Sequence, residues 1–300
     1  MLKPLFRFRI PLSLLLALVL LSVLPITAQD MTYNQSPTLD ARVESGELPP
    51  VADRLPANPY VLNPVDQVGT YGGRLSIPWA EGRVSYEQVR FMDWQAHLVR
   101  WLPDFSIEAN LLESISSNED ATVWTLRFRE GLKWSDGAPF GPDDIMFAWN
   151  DVMSIEELYG GTEAWMSPGH EYGPGVLEKV DDLTLTVTFE APYGMFDESL
   201  AYWSATKLLM WPKHYLQDYH INYADPEELQ AKIDADSEAT DWITLFDARS
   251  ACCSVSWRFK YEDPNYPTLG PWMVTQGLGT GTQVRMVRNP YFWQVDSAGN

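Results

Sequence analysis

The chain has 300 residues, 45% of them hydrophobic, and 41 acidic against 21 basic side chains give it a formal charge of -20. That balance supports a sizeable apolar core and argues against nucleic acid or an anionic membrane surface as partner. Only two cysteines occur, adjacent at Cys252 and Cys253, so a disulfide framework is not what holds the fold.

Residues 1–28 combine a basic start (Lys3, Arg7, Arg9), an apolar stretch over 10–24 and the small-residue succession Ile26-Thr27-Ala28. This is the pattern of a secretory signal peptide, and the apolar run is shorter than the roughly 20 residues a membrane anchor needs. Removing the three basic residues takes the charge from -20 to -23. No cysteine follows the apolar run, so a lipid-anchored form is not supported. Residues 29–70, rich in Pro, Asn, Ser and Asp without a sustained period, read as an extended lead-in. Folding proper is expected from Tyr71, with a first strand over 73–77 and a broad apolar helical surface over 86–101.

The stretch 109–152 carries the densest information. Trp124, Leu126 and Phe128 alternate with Thr125, Arg127 and Arg129, the period of a strand with one buried face. Ser135-Asp136-Gly137 is a turn, since Asp can bond its own backbone and Gly accepts positive φ. Pro142 suits a first helical position, Asp143 and Asp144 complement the positive helix end, and Ile145, Trp149 and Val152 recur on one face. Trp124, Trp134 and Trp149 therefore read as core. Over 180–192, Leu183, Leu185, Val187 and Phe189 alternate with threonines, a second strand pattern.

Ser204 and Lys207 fit S-x-x-K, in which a lysine one helical turn away activates a serine nucleophile, but the partner elements S-D-N and K-T-G are absent. A helix is predicted over 225–246, with Asp225 as cap, Pro226 at the first position and Glu227-Glu228 in the first turn. A bond between Cys252 and Cys253 would be strained, because neighbouring Cα atoms lie about 3.8 Å apart whereas disulfides prefer roughly 4.4 to 6.8 Å. Reduced thiols or bonds to a partner are the alternatives. Gly277, Gly279 and Gly281 precede a strand-like alternation rather than a helix, so they suit a hairpin turn better than a phosphate cradle. His97, His170, His214 and His220 are scattered without metal-ligand spacing, and no cofactor or metal is implied.

The order of these signals resembles the family 5 solute-binding proteins of ABC importers. Members typically read L-A-E-S, a short gap, then Y-T-F-x-L-R-x-G-V-K-W-S-D-G-x-P-F-T-A-E-D-V. This chain supplies Leu112, Glu113 and Ser114, then residues 124–129, 131–137, Pro139, Phe140, Asp143, Asp144 and Ile145. Gly141 stands where the family usually has a Thr cap, which weakens that helix start. The likeness continues in LLMWPKHYL at 208–216, LGPW at 269–272 and RNPYFW at 288–293.

That resemblance implies an α/β fold: lobe I of a type II periplasmic binding protein, built from 71–108 and 207–300, with an α+β subdomain inserted over 109–206. Family members are nearly twice this length, so a second lobe and a hinge are expected beyond these residues. The implied function is extracytoplasmic capture of an oligopeptide or dipeptide for an ABC permease, without catalysis, with an oligosaccharide as the alternative solute. A secreted serine hydrolase using Ser204 and Lys207 is the competing class. Trp79, Trp203 and Trp272, near strand ends that face the inter-lobe cleft in the family, together with Glu81, Arg83 and Tyr86 in the loop after the first strand, are the implied ligand contacts.

Overall fold

The computed structural model describes residues 31–77, 96–250, 263–277 and 283–300. Expectations for the signal peptide, the loop holding Trp79, Glu81, Arg83 and Tyr86, and the Cys252-Cys253 pair lie outside these residues.

The segment read as a lead-in is folded and fastened. It holds a 3-10 turn at Pro37–Leu39, helices α1 (Asp40–Glu44) and α2 (Val51–Arg54), and strand β1 (Tyr60–Leu62). Asn34 N–H donates to Gly299 O at 2.8 Å, and the Asn34 side-chain amide to Ala298 O at 2.9 Å. Arg54, 3% exposed, donates to Pro49 O at 3.0 Å, to Gln35 Oε1 at 2.6 Å and to Pro290 O. Carbonyls rather than a carboxylate thus satisfy this cation, and burial lowers its pKa. Such anchors leave no periodicity in the sequence.

Residues 73–77 form no strand with the described residues, and the stretch expected to end a helix at Trp101 ends as strand β2 (Val99–Trp101). β2 pairs antiparallel with β3 (Ile107–Ala109), Arg100 opposite Glu108. The backbone here is satisfied across the chain rather than within a helix, Leu98 O accepting Asn110 N–H at 3.0 Å and Leu112 N–H at 3.1 Å.

The central element is an antiparallel sheet in the order β4 (Leu112–Ser117), β5 (Val123–Phe128), β7 (Thr184–Thr188), β6 (Val176–Asp181). β5 places Trp124, Leu126 and Phe128 inward at 6, 2 and 0% exposure, and β7 sets Val187 opposite Trp124 and Leu185 opposite Leu126. Each such side chain contributes about 1.5–3 kcal/mol by leaving water, an upper estimate for an extended unfolded reference. Arg127 and Glu113 face outward and pair at 3.0 Å, an exposed contact worth little.

Beyond β5 the Ser-Asp-Gly turn forms as predicted. Gly137 N–H donates to Trp134 O at 2.9 Å, Ala138 N–H to Asp136 Oδ1 at 3.0 Å, and Gly137 takes φ +90°. Helix α3 (Pro142–Met146) follows and continues as a π-helix over Phe147–Met153. Ile145, Trp149 and Val152 are all buried on its inner face. With no side chain at Gly141, the helix start is held from the other direction: Asp144 Oδ2 accepts Gly141 N–H at 3.1 Å, while Oδ1 accepts Trp134 Nε1 at 3.2 Å and Lys213 N–H at 3.1 Å. Burial pushes the Asp144 carboxyl up to about 6 in spite of these three donors.

After α4 (Glu156–Tyr159), the β6–β7 hairpin, α5 (Phe196–Leu200) and a 3-10 helix at Trp203–Leu209 comes α6 (Lys213–Leu216). The single helix expected over 225–246 is two, α7 (Pro226–Ala235) and α8 (Trp242–Ser250). The start is as predicted, Asp225 Oδ1 accepting Glu227 and Glu228 N–H. Asp236 then turns the chain by accepting Glu238 and Ala239 N–H, and Asp241 begins the second helix by accepting Thr244 N–H at 2.8 Å. The antiparallel pair β8 (Trp272–Gln276) and β9 (Arg285–Arg288) accords with the hairpin reading of the glycine loop, whose tip lies outside the described residues. β10 (Gln294–Asp296) closes the architecture by pairing parallel with β1. No helix among the described residues is long and apolar enough to cross a membrane.

Candidate functional site

Of the six side chains the sequence singles out, Trp203 and Trp272 fall within the described residues. Trp203 begins the 3-10 helix after extended Tyr202, and its surroundings are set by an ion pair. Lys207, just over one 3-10 turn on, holds Nζ 5.5 Å from the Trp203 ring centroid and 5.1 Å from that of Tyr159, while pairing with Glu163 Oε1. The same carboxylate accepts Trp165 Nε1 at 2.8 Å and the Tyr159 hydroxyl. Burial alone would raise the Glu163 carboxyl, but Lys207, Tyr159 and Trp165 outweigh it and hold it below the usual carboxylate range. Burial, reinforced by Glu163, pushes the Tyr159 phenol well up.

Glu163 and Lys207 side chains are 20 and 22% exposed, at the boundary of interior and surface. Truncating Lys207 would leave the Glu163 carboxylate with the Trp165 and Tyr159 donors but no countercharge among the described residues, and truncating Glu163 would leave the Lys207 ammonium there with aromatic rings alone. Beside this clamp, Tyr202 is 57% exposed and its ring centroid lies 5.9 Å from that of Trp203. The two rings are inclined at 57° to each other, and the Lys207 ammonium lies over that of Trp203. Ser204, the next residue, is 8% exposed, and the ammonium the S-x-x-K pattern would aim at its hydroxyl is engaged by Glu163.

Trp272 opens β8 at 39% exposure, opposite Arg288. The Arg288 guanidinium lies 4.9 Å from the Tyr71 ring centroid, so it faces an aromatic ring from the N-terminal segment. Among the described residues no ring contact joins Trp203 to Trp272, which sit on separate elements. Glu163, Tyr159 and Trp165 were missed by sequence reasoning, for Glu163 and Lys207 are 44 positions apart. No group of three or more His, Cys, Asp or Glu with metal-holding geometry occurs among the described residues.

Comparison with known proteins agrees with this architecture. The model of bacterial extracellular solute-binding proteins, family 5 Middle, matches residues 106–299. The periplasmic alpha-galactoside-binding protein of Rhizobium meliloti (strain 1021) is 30% identical over 281 residues, 86% of this chain and 36% of that protein. The periplasmic oligopeptide-binding protein OppA of Escherichia coli (strain K12) is 23% identical over 164 residues, 43% of this chain and 28% of its own length. Among solved structures, an oligopeptide-binding protein OppA superposes with a TM-score of 0.79 and 32% identity, covering 91% of this chain and 40% of that one. The periplasmic binding protein MelB of Agrobacterium fabrum C58, in complex with stachyose, gives a TM-score of 0.63 and 25% identity over 89% of this chain and 39% of its own. The chain thus spans two fifths or less of the length of these proteins. With its mixed helix and strand architecture and the matched span, the chain belongs to the bacterial extracellular solute-binding proteins of family 5.

Proposed function

We propose that this chain forms one wall of the solute site in the extracytoplasmic binding component of an ABC importer, and that the solute is an oligosaccharide of the α-galactoside class. The observation that carries the solute is the alignment with the alpha-galactoside-binding protein across 86% of the chain, against 43% for the Escherichia coli peptide binder. The stachyose held by MelB is of the same sugar class and supports it. Exposed Trp272 and the Tyr202–Trp203 surface suit the apolar faces of sugar rings. Trp79, Glu81, Arg83 and Tyr86 belong to the same proposed wall. A second reading, the oligopeptide that the sequence alone favours, draws support from the OppA structure at a TM-score of 0.79.

In this mechanism the solute contacts both lobes, so its preference for the closed arrangement drives hinge closure and presents a loaded protein to the permease. No bond is broken; the pairing of Lys207 with Glu163 and the burial of Ser204 speak against hydrolysis. Calorimetry on the complete protein with raffinose, stachyose and a panel of two- to five-residue peptides tests the proposal. Saturable heat with the saccharides, no heat with peptides and no product by mass spectrometry is expected. Peptide binding without saccharide binding overturns the sugar reading in favour of the second, and solute turnover overturns both.

A further inference from the structure

Of the four histidines, His220 is the one that is fully buried, at 0% exposure. Its Nδ1 accepts Asn222 N–H at 3.2 Å, so the ring proton resides on Nε2, which donates to Asp151 O at 2.8 Å. Both nitrogens are satisfied only in this neutral tautomer. Asp151 belongs to the π-helix that continues α3, and its carboxylate accepts the Tyr223 hydroxyl at 2.6 Å and Asn222 Nδ2 at 3.3 Å. Around the imidazole stand Trp242 and Phe246 of α8 at 4.9 and 5.4 Å, Tyr223 at 5.5 Å and Phe147 of the π-helix at 5.6 Å, centroid to centroid. Three elements therefore meet on one ring: the π-helix, the 220–223 turn and α8.

We propose that His220 is an acid-sensitive latch, closed while neutral, which a proton on Nδ1 opens so that α8 and the 220–223 turn loosen from the π-helix. An imidazolium presents N–H at Nδ1 to the Asn222 N–H, donor against donor, and places a cation where water is excluded. The charged and titratable groups around it are Asp151 on the π-helix, Tyr223 in the turn, Lys213 of α6 with Nζ 4.9 Å from the Tyr223 ring centroid, and Asp247 and Arg249 on α8, the latter paired with Asp236 at 2.9 Å. Burial lowers the His220 pKa, outweighing the upward pull of Asp151. The open state accordingly takes the proton first. Closure is complete above the ordinary histidine value of about 6.5 and weakens as pH falls below it.

A carboxyl elsewhere in the fold responds in the opposite sense. Asp144, raised to about 6, keeps its proton better folded than unfolded, while Asp136, held below the usual carboxylate range, is lost to acid only further down the scale. Global melting would mix these effects, so the test is segmental. Amide hydrogen exchange of the full chain is followed from pH 7.5 to 5, normalised to intrinsic chemical rates, with the His220 tautomer read by nitrogen NMR. The ring should be neutral with its proton on Nε2 at pH 7.5, and opening of 217–223 and 242–250 should rise by up to about tenfold per pH unit below 6.5, as linkage to one proton requires, with β5 and β7 unchanged. His220→Gln, which keeps a donor for Asp151 and cannot titrate, should abolish that rise. A flat profile in the wild type, an equal rise in β5 and β7, or an undiminished rise in the variant each overturns the latch. Should the variant not fold, the wild-type segments and ring signal decide alone.

Discussion

Two turns of this chain use the same chemistry to opposite ends. At Ser135-Asp136-Gly137 the Asp136 carboxylate accepts the N–H two residues on, at 3.0 Å; at the tip of the β2–β3 hairpin Asp104 accepts Ser106 N–H in the same way, at 3.1 Å. Each turn also holds a residue at positive φ, +90° for Gly137 and +66° for Phe105. The first turn is packed: Trp134 beside it is 0% exposed, and a Cβ placed on Gly137 would sit 3.0 Å from the Tyr291 phenol carbon and oxygen. The second stands free, with the Phe105 ring 85% exposed. Local hydrogen bonding suffices to shape a turn; what surrounds it decides whether the turn matters to stability.

The largest expected effect lies at the packed turn. Trp134→Ala should lower unfolding free energy by about 3 to 5 kcal/mol in denaturant melts, the usual result of truncating a buried aromatic. It removes the edge contact with Phe140 at 5.4 Å and takes one of three donors from Asp144. A loss below about 1 kcal/mol would mean that this turn is no more integrated than the free one. Next comes Gly137→Ala, at about 1–3 kcal/mol for a side chain forced to positive φ. Repeating it in a Tyr291→Ala background separates the two causes: the backbone part should persist and only the crowding part disappear. Full recovery there would show that crowding alone excludes a side chain.

The packed turn was legible because its signals are local and redundant. Strand alternation through Trp124, Leu126 and Phe128, the Asp-Gly pair and the helical spacing of Ile145, Trp149 and Val152 lie within about 30 residues and agree with one another. Elements held by distant partners were not legible. Arg54 secures the N-terminal segment through the Pro290 carbonyl 236 positions away, and nothing in residues 29–70 signals that bond. The break between α7 and α8 rests on Asp236 and Asp241, which equally suit exposed helix positions and give a turn only because their carboxylates bond the following backbone. In the site, Trp272 stands 39% exposed at the start of β8, a position the strand pattern alone does not give. The bracing of Trp203 through Lys207 and Glu163 required the fold, since only the fold brings positions 163 and 207 together.

The smallest effect should have the opposite sign. Phe105 lies in the left-handed region, held there by Leu102 N–H to Ser106 O and Phe105 N–H to Leu102 O, both at 2.9 Å, while its ring meets solvent. The conformation costs about 1–2 kcal/mol for an L-residue with a Cβ. Phe105→Gly removes that strain but adds about 0.5–1 kcal/mol of backbone entropy to the unfolded state, so a net gain near 0.5 kcal/mol is expected. Phe105→Ala separates the causes: it deletes the ring and keeps the Cβ at φ +66°, so its stability should match the wild type within about 0.5 kcal/mol, as for other exposed positions. Thermal melts of both variants beside wild type, at one pH and salt, give the comparison. A loss of more than 1 kcal/mol in both would mean that the Phe105 ring packs on the body of the protein, and the contrast between a packed and a free turn would fail. A gain in the glycine variant alone assigns the strain to the backbone and leaves the exposed ring without a role in holding the fold.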